Sequence, residues 1–529
     1  KPHRPSPATG GEFTVRAAFK AAVEHYQAGR PAQAERLYRK ILSLQPDNAA
    51  AYNNLGIALM KQGRSGEAIA CYRRALAINP GSAETHNALG DAFKDRERLE
   101  EATASYRRAL EIDPDSADTH HRLALALTGQ RKLEEAAKHH AKALAINPQF
   151  VEAHHNLGNV CQDLGRPDEA IGHYRRALSL KPGLAEAHSS LGNALRHVGR
   201  LDEALHHHRQ AVSIRPDYAV GHLNKSVADL LAGNYAEGWR EYEWRWRAKP
   251  FFKAKRAFHQ PLWDGSPLQG RTILLHVEQG LGDAIHFVRY VPLVVERGGR
   301  VLVECQPQMV RLFSTVSGVD EAIGTGDPLP AFDVYAPLMS LPHVFQTTAA
   351  TIPGAVPYLA APPGTGPGLP DCPDGTRLKV GIVWAGSATH TNDRNRSCRL
   401  RQFEPLFSVP GVAYFSLQKG DAAAELAAAA VPVTDLGDRL GDFADTAAVI
   451  DRLDLVVSVD TAAAHLAGAL ARPVWILIPF VPDWRWLTQG EHSPWYPTAR
   501  LFRQAAMGDW APVFTRVAEE LQRESARRG

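Results

Sequence analysis

Small and apolar positions repeat in one block through the first half of the chain. In Ala49–Pro80, Leu55, Gly56 and Leu59 share one face of a helix, and Ala68, Tyr72 and Ala75, spaced by four and three, share one face of the next. Gln62-Gly63-Arg64 separates the two, with Gly63 free to take positive φ. The block returns as Leu89-Gly90, Ala102, Tyr106 and Ala109, as Leu157-Gly158, Ala170, Tyr174 and Ala177, and as Leu191-Gly192, Ala204, His208 and Ala211. Residues 117–148 follow it more loosely, with Ala124 in place of the glycine. Pro46, Pro80, Pro114, Pro148, Pro182, Pro216 and Pro250 close the blocks at a constant 34-residue step. In the final block, 219–250, Tyr242 and Pro250 persist, but Gly238, Trp239, Trp244 and Trp246 replace the small residues, as expected where a repeat array ends on a different surface.

A helix-pair period of this length resembles the tetratricopeptide repeat, which implies a superhelix whose concave groove is lined by the first helix of each pair. Asn53, Asn54, Asn87, Asn156 and Asn224 recur on those first helices, and amides with free donors and acceptors would suit the backbone of an extended peptide. His86, His120, His154, His188 and His222 also keep the 34-residue step and occupy a packing position. The run His206-His207-His208 points three ways on a helix and does not form a metal-ligand set.

After residue 250 the period changes. Residues 251–270 read as a connector. RTILLHV (271–277), RVLVEC (300–305) and AFDVYAP (331–337) read as strands of a first α/β lobe, over 271–360. The Pro/Gly-rich stretch 361–376 reads as a hinge. LKVGIVWAG (378–386), VAYFSLQ (412–418), LDLVVSVD (453–460) and PVWILI (473–478) supply a second lobe, over 377–529. The expected class is therefore α + α/β: an all-α superhelix over 15–250, then two Rossmann-like lobes with a cleft at the carboxyl ends of their strands.

Composition narrows the partners. Lys+Arg 60 against Asp+Glu 57 leaves a net charge of +3, so nothing calls for nucleic acid or an anionic membrane. The five cysteines are scattered without a C-x-x-C pair, which suggests neither a disulfide frame nor a zinc site and fits a reducing compartment. The most apolar long stretch, 453–482, is broken by Asp460, His465 and Arg472, so no transmembrane segment is expected. A cytoplasmic protein is the expectation.

Three polar clusters fall at strand ends of the α/β half. Gly280-Leu281-Gly282-Asp283 lets a backbone approach a ligand at a helix N-terminus, and Asp283 suits both a proton acceptor and a helix cap. The loop after VGIVWAGS carries Arg394, Arg396 and Arg399, donors of the kind a leaving phosphate needs. Ser458 to His465 ends a strand at Asp460 and opens a helix with small side chains, leaving backbone N–H groups open to an anion.

GLGDAIHFVRYVPLV and VSVDTAAAHLAGALARPVWILI, in this order, resemble the two motifs of glycosyltransferase family 9, the heptosyltransferase-like group of the GT-B fold, over about 270–505. The resemblance implies Asp283 as general base and a donor site at Gly282, Ser387, Arg394, Arg396, Gln418, Asp460, Thr461 and His465, with a nucleotide-activated sugar as donor and no cofactor or metal required. PFVPDWRWLTQG departs from that family's Gly-Pro-Thr turn, so Trp484, Arg485 and Trp486 are expected to reshape the donor or acceptor site. Repeats joined to such a transferase resemble bacterial flagellin glycosyltransferases and, in layout, protein O-GlcNAc transferases. The implied function is an inverting bacterial protein glycosyltransferase acting on Ser or Thr of a protein captured by the repeats, flagellin being one candidate acceptor. Two alternatives stay open: a non-catalytic adaptor with a decayed transferase lobe, and a transferase acting on a glycan.

Overall fold

The computed structural model describes residues 14–248, 256, 258–390 and 392–528, so Pro250 and part of the connector lie outside the described residues. The chain divides into two compact units, Lys1–Ala194 and Leu195–Gly529.

The first unit is built from paired helices: α1 (Val15–Gln27) with α2 (Pro31–Leu44), α3 (Ala49–Lys61) with α4 (Ser65–Ile78), α5 (Ala83–Asp95) with α6 (Leu99–Ile112), α7 (Ala117–Gly129) with α8 (Leu133–Ile146), and α9 (Val151–Asp163) with α10 (Pro167–Leu180). Side chains of Asn48, Ser82 and Ser116 accept from the third residue onward and start α3, α5 and α7. Three of these pairs, α3 with α4, α5 with α6 and α9 with α10, close through a contact that the sequence encodes as glycine. A Cβ on Gly56, Gly90 or Gly158 would lie 2.5, 2.4 or 2.5 Å from a ring carbon of Tyr72, Tyr106 or Tyr174. Where Ala124 replaces the glycine, the tyrosine's position in the repeat is taken by His140, a smaller ring, fully buried.

The histidines spaced by 34 do more than pack. Each ring Nε2 meets the carbonyl oxygen of the proline six residues earlier: His86 with Pro80 at 3.1 Å, His120 with Pro114 at 3.1 Å, His154 with Pro148 at 3.2 Å and His188 with Pro182 at 3.0 Å. The bond ties the end of one pair to the start of the next. The asparagines depart from the expectation of free amides. Asn53 is buried and donates to Glu84 at 3.3 Å and to Asn54 at 3.3 Å, and Asn87 donates to Thr119 at 2.7 Å. Asn54 is thereby engaged as an acceptor, Asn224 also has a partner, and Asn156 is partly exposed. Stacking brings the first turn of the next pair within reach, so Asn53 and Asn87 bolt repeats together.

In the second unit α11 (Ala185–His197) ends and α12 (Leu201–Ile214), α13 (Ala219–Leu231) and α14 (Tyr235–Tyr242) complete the helical array. His222 repeats the proline clamp on Pro216 at 2.9 Å. Then come two wholly parallel sheets. The first has the order β3-β2-β1-β4, from β1 (Thr272–His276), β2 (Arg300–Cys305), β3 (Glu321–Gly324) and β4 (Val334–Pro337). The second has the order β10-β9-β8-β5-β6-β7, from β5 (Leu378–Val383), β6 (Val412–Ser416), β7 (Val433–Asp435), β8 (Leu455–Val459), β9 (Val474–Ile478) and β10 (Ala499–Arg503). That is the doubly wound Rossmann order, with its switch point between β5 and β8. The strands β3, β7 and β10 are additional to those the apolar runs indicate. Among the described residues no helix is long and apolar enough to cross a membrane.

Trp239 on α14 is 1% exposed and meets Phe287 of the first lobe at 5.5 Å and Trp484 of the second at 5.0 Å, edge to face. The substituted last block therefore shares one apolar core with both lobes.

Candidate active site

The turn after β1 leads into α15 (Leu281–Phe287), with Gly280 at its N-cap. Asp283 divides its carboxylate between two roles. One oxygen accepts the Gly280 N–H at 3.1 Å, which caps the helix, and the other pairs with the Arg485 guanidinium. Gly282, on the same turn, lies against the second lobe: a Cβ there would sit 2.9 Å from Cδ2 of His465. The glycine is what allows α15 to meet the helix Ala462–Ala469 this closely.

From the second lobe, β8 delivers Asp460 at its carboxyl end. Thr461 is the N-cap of the following helix, and its hydroxyl meets that of Ser458 at 2.9 Å. Asp460 thus does not cap the helix. Burial alone would raise its carboxyl, but the His465 imidazole 3.6 Å away, with Arg396 and Arg485, outweighs it and holds the pKa down to about 2. Asp460 is accordingly a carboxylate at any physiological pH. Arg396 donates to the Asp460 carbonyl oxygen at 3.1 Å, crossing Gly386, where a Cβ would meet the guanidinium at 2.5 Å.

Behind these groups runs a buried polar chain. The Tyr496 hydroxyl lies 3.0 Å from Nδ1 of His465 and 3.0 Å from Nδ1 of His286. A hydroxyl can donate once and accept once along such a line. With the His465 proton on Nε2, toward Asp460, Tyr496 donates to His465 and accepts from His286. Burial, with Arg289, Arg485 and His465 nearby, keeps His286 neutral by pushing its pKa far down, and burial pushes the Tyr496 phenol far up. Arg289 donates to the carbonyl oxygens of His286 (2.8 Å) and Trp495 (2.7 Å) and to the Tyr358 hydroxyl (2.9 Å), so it fastens α15 to the second lobe.

Residues 484–486 form one turn of 3-10 helix, in which successive side chains point about 120° apart. Trp484 goes to Trp239, Arg485 to Asp283, and Trp486 stacks on the His465 ring at 5.3 Å. Asp483 caps the turn and accepts from Arg485 Nη1 at 2.8 Å.

The remaining expected site residues divide. Gln418 is buried and spends its amide on backbone, accepting from Trp384 (3.1 Å) and Ala385 (2.9 Å) and donating to Ala385 (3.1 Å) and Lys419 (2.8 Å). It shapes the loop after β5 and keeps no group for a ligand. Ser387 and Arg394 are exposed on that loop, Ser387 against the Thr389 hydroxyl at 2.8 Å. Arg399 turns outward to Glu425 at 2.9 Å. Sequence reasoning missed Tyr496, His286 and Asp483. The histidine lies inside the GLGDAIHF segment, but no spacing links it to Tyr496, 210 positions away.

Tetratricopeptide-repeat models match residues 19–83, 115–182 and 149–217, and a further repeat model of that kind matches 90–130. The chain from residue 19 to residue 217 is built of tetratricopeptide repeats. The chain is 28% identical over 333 residues to Protein FlbA of Caulobacter vibrioides, which covers 55% of this chain and 53% of FlbA, so it spans about half the length of that relative. Among solved structures, MamA is 28% identical with a TM-score of 0.30, over 31% of this chain and 96% of its own. YrrB, described as a TPR protein with an unusual peptide-binding site, is 22% identical with a TM-score of 0.32, over 35% of this chain and 95% of its own. PilW, a type IV pilus biogenesis factor, is 21% identical with a TM-score of 0.36, over 39% of this chain and 96% of its own.

Proposed function

We propose that the chain is an inverting, metal-independent glycosyltransferase of the GT-B kind, acting on Ser or Thr of a polypeptide held by the repeats. One observation carries the reading: at the carboxyl edge of two parallel sheets, Asp283 from one lobe pairs with Arg485 of the other, and Gly282 of the same turn lies against His465, which stands 3.6 Å from Asp460. Asp283 takes the hydroxyl proton as the acceptor oxygen forms its bond to the anomeric carbon. The bond from that carbon to the phosphate oxygen breaks in the same step, and the nucleoside diphosphate leaves with the electron pair. Arg396 and the N-terminus of the helix Ala462–Ala469 stabilise the departing charge, and Asp460 holds sugar hydroxyls. The protein works in the cytoplasm, and flagellin is the first acceptor to test.

The test is intact-mass analysis of flagellin incubated with the full chain and a panel of nucleotide-sugars. A mass increase of one sugar is expected, lost by a factor on the order of 100 or more in Asp283→Asn. Undiminished transfer by that variant would remove Asp283 from the mechanism. Absence of any mass change across the panel with intact nucleotide-sugar binding would turn the search to glycan acceptors.

A further inference from the structure

Arg485 has no assigned role. Its side chain is 8% exposed and pairs with both Asp283 and Asp483. Nη2 pairs with Asp283, Nη1 donates to Asp483 at 2.8 Å, and Nε is buried with no hydrogen-bond partner among the described residues. The guanidinium lies over the Trp484 ring at 4.2 Å, a flat surface along which it can pivot. The pairing with Asp283 is at odds with catalysis. One carboxylate oxygen already accepts the Gly280 N–H and the other the Arg485 guanidinium, so both hold a donor where an acceptor hydroxyl would have to bind. Asp483 supplies an alternative: it is fixed by its own bond to the Arg485 N–H at 3.1 Å, so the guanidinium can leave Asp283 and remain paired.

We infer that Arg485 is a two-position residue, holding Asp283 in the donor-free protein and transferring to the diphosphate of the donor when it binds. The inference rests on the transferase reading above. A diphosphate oxygen competes with one carboxylate for the same fork of N–H groups, and the winner sets whether Asp283 is free to accept a proton. Donor binding and unmasking of the base are thereby one event, so that Asp283 is exposed only when an activated sugar is in place.

Competition has a signature that a structural ion pair lacks. Calorimetric titration of the full chain with ADP, UDP, CDP and GDP, one at a time, first identifies the nucleotide that binds. Asp283→Asn removes the competitor and keeps the size of the side chain, so it should bind that nucleotide roughly three- to tenfold more tightly. Arg485→Lys keeps the charge without the fork and should bind it on the order of tenfold more weakly. In the double variant the gain from Asp283→Asn should shrink to less than about twofold, because the two effects act through one contact. Unchanged affinity in Asp283→Asn, or a full gain persisting in the double variant, overturns the inference and leaves the transferase reading standing. Failure of the wild-type chain to bind any of the four nucleotides overturns both.

Discussion

The same device, a glycine that lets two helices touch, serves opposite ends in the two parts of the molecule. In the repeats, Gly56, Gly90 and Gly158 admit a tyrosine ring whose only task is to hold one helix of a pair on the other. In the α/β part, Gly282 admits His465, which also faces Asp460 and Tyr496. One contact recurs with a period and holds a pair of helices together. The other joins residues 183 apart (282 and 465) and sets how closely two lobes meet.

Substitution should separate the two most clearly at Gly90. Gly90→Ala places a Cβ 2.4 Å from the Tyr106 ring, and overpacking of that kind costs about 1–3 kcal/mol, read as a lower thermal midpoint of the helical signal. Adding Tyr106→His should restore part of the loss, since Ala124 and His140, both fully buried, hold the matching positions of the fourth pair. No recovery in the double variant would show that ring size is not what the glycine accommodates.

Acid tests the packing of the helical part through charge. Burial holds the His140 and His208 imidazoles neutral, with pKa values down to about 3. The unfolded chain binds protons on these rings below about pH 6.5 and the folded one does not, so the stabilisation is whole above that value and is lost progressively as pH falls toward 3. Each such ring contributes at most about 1.4 kcal/mol per pH unit in that window. Melting at pH 5 should therefore occur below melting at pH 7, and His140→Leu with His208→Leu should flatten the slope; an unchanged slope would assign the acid response elsewhere.

The smallest effect on stability belongs to Gly282→Ala. Its Cβ would stand 2.9 Å from an edge of the His465 ring, a milder clash than the 2.4 Å at Gly90. The thermal midpoint should move little, while transfer falls by about fivefold, roughly 1 kcal/mol at the site. A large drop in melting with activity retained would mean that Gly282 is a packing residue like Gly90.

These contrasts also explain what could be read from the chain beforehand. The repeats were legible because one contact set is written five or more times at a fixed step, and the prolines mark its frame. The central strands were legible as apolar runs. The edge strands β3 and β7 were not, because four and three residues carry too few apolar positions to stand out from loop. Asp283, Asp460 and His465 stood out as candidates because each lies where a strand gives way to a helix. Gln418 misled for the same reason: it too follows a strand, but its amide is consumed by the backbone of the neighbouring loop. Arg485 and Asp283 meet across 202 residues, and no local pattern records a contact between two lobes.

The single turn at Trp484-Arg485-Trp486 has a consequence for how this protein can change. Its three neighbours in the chain serve the end of the helical array, the candidate base and the His465 ring, each in its own direction. Losing or gaining one residue just before Trp484 would swing the trio by a third of a revolution, handing every side chain its neighbour's post. Drift in length is thus barred here, and only exchanges of one side chain for another are open to selection.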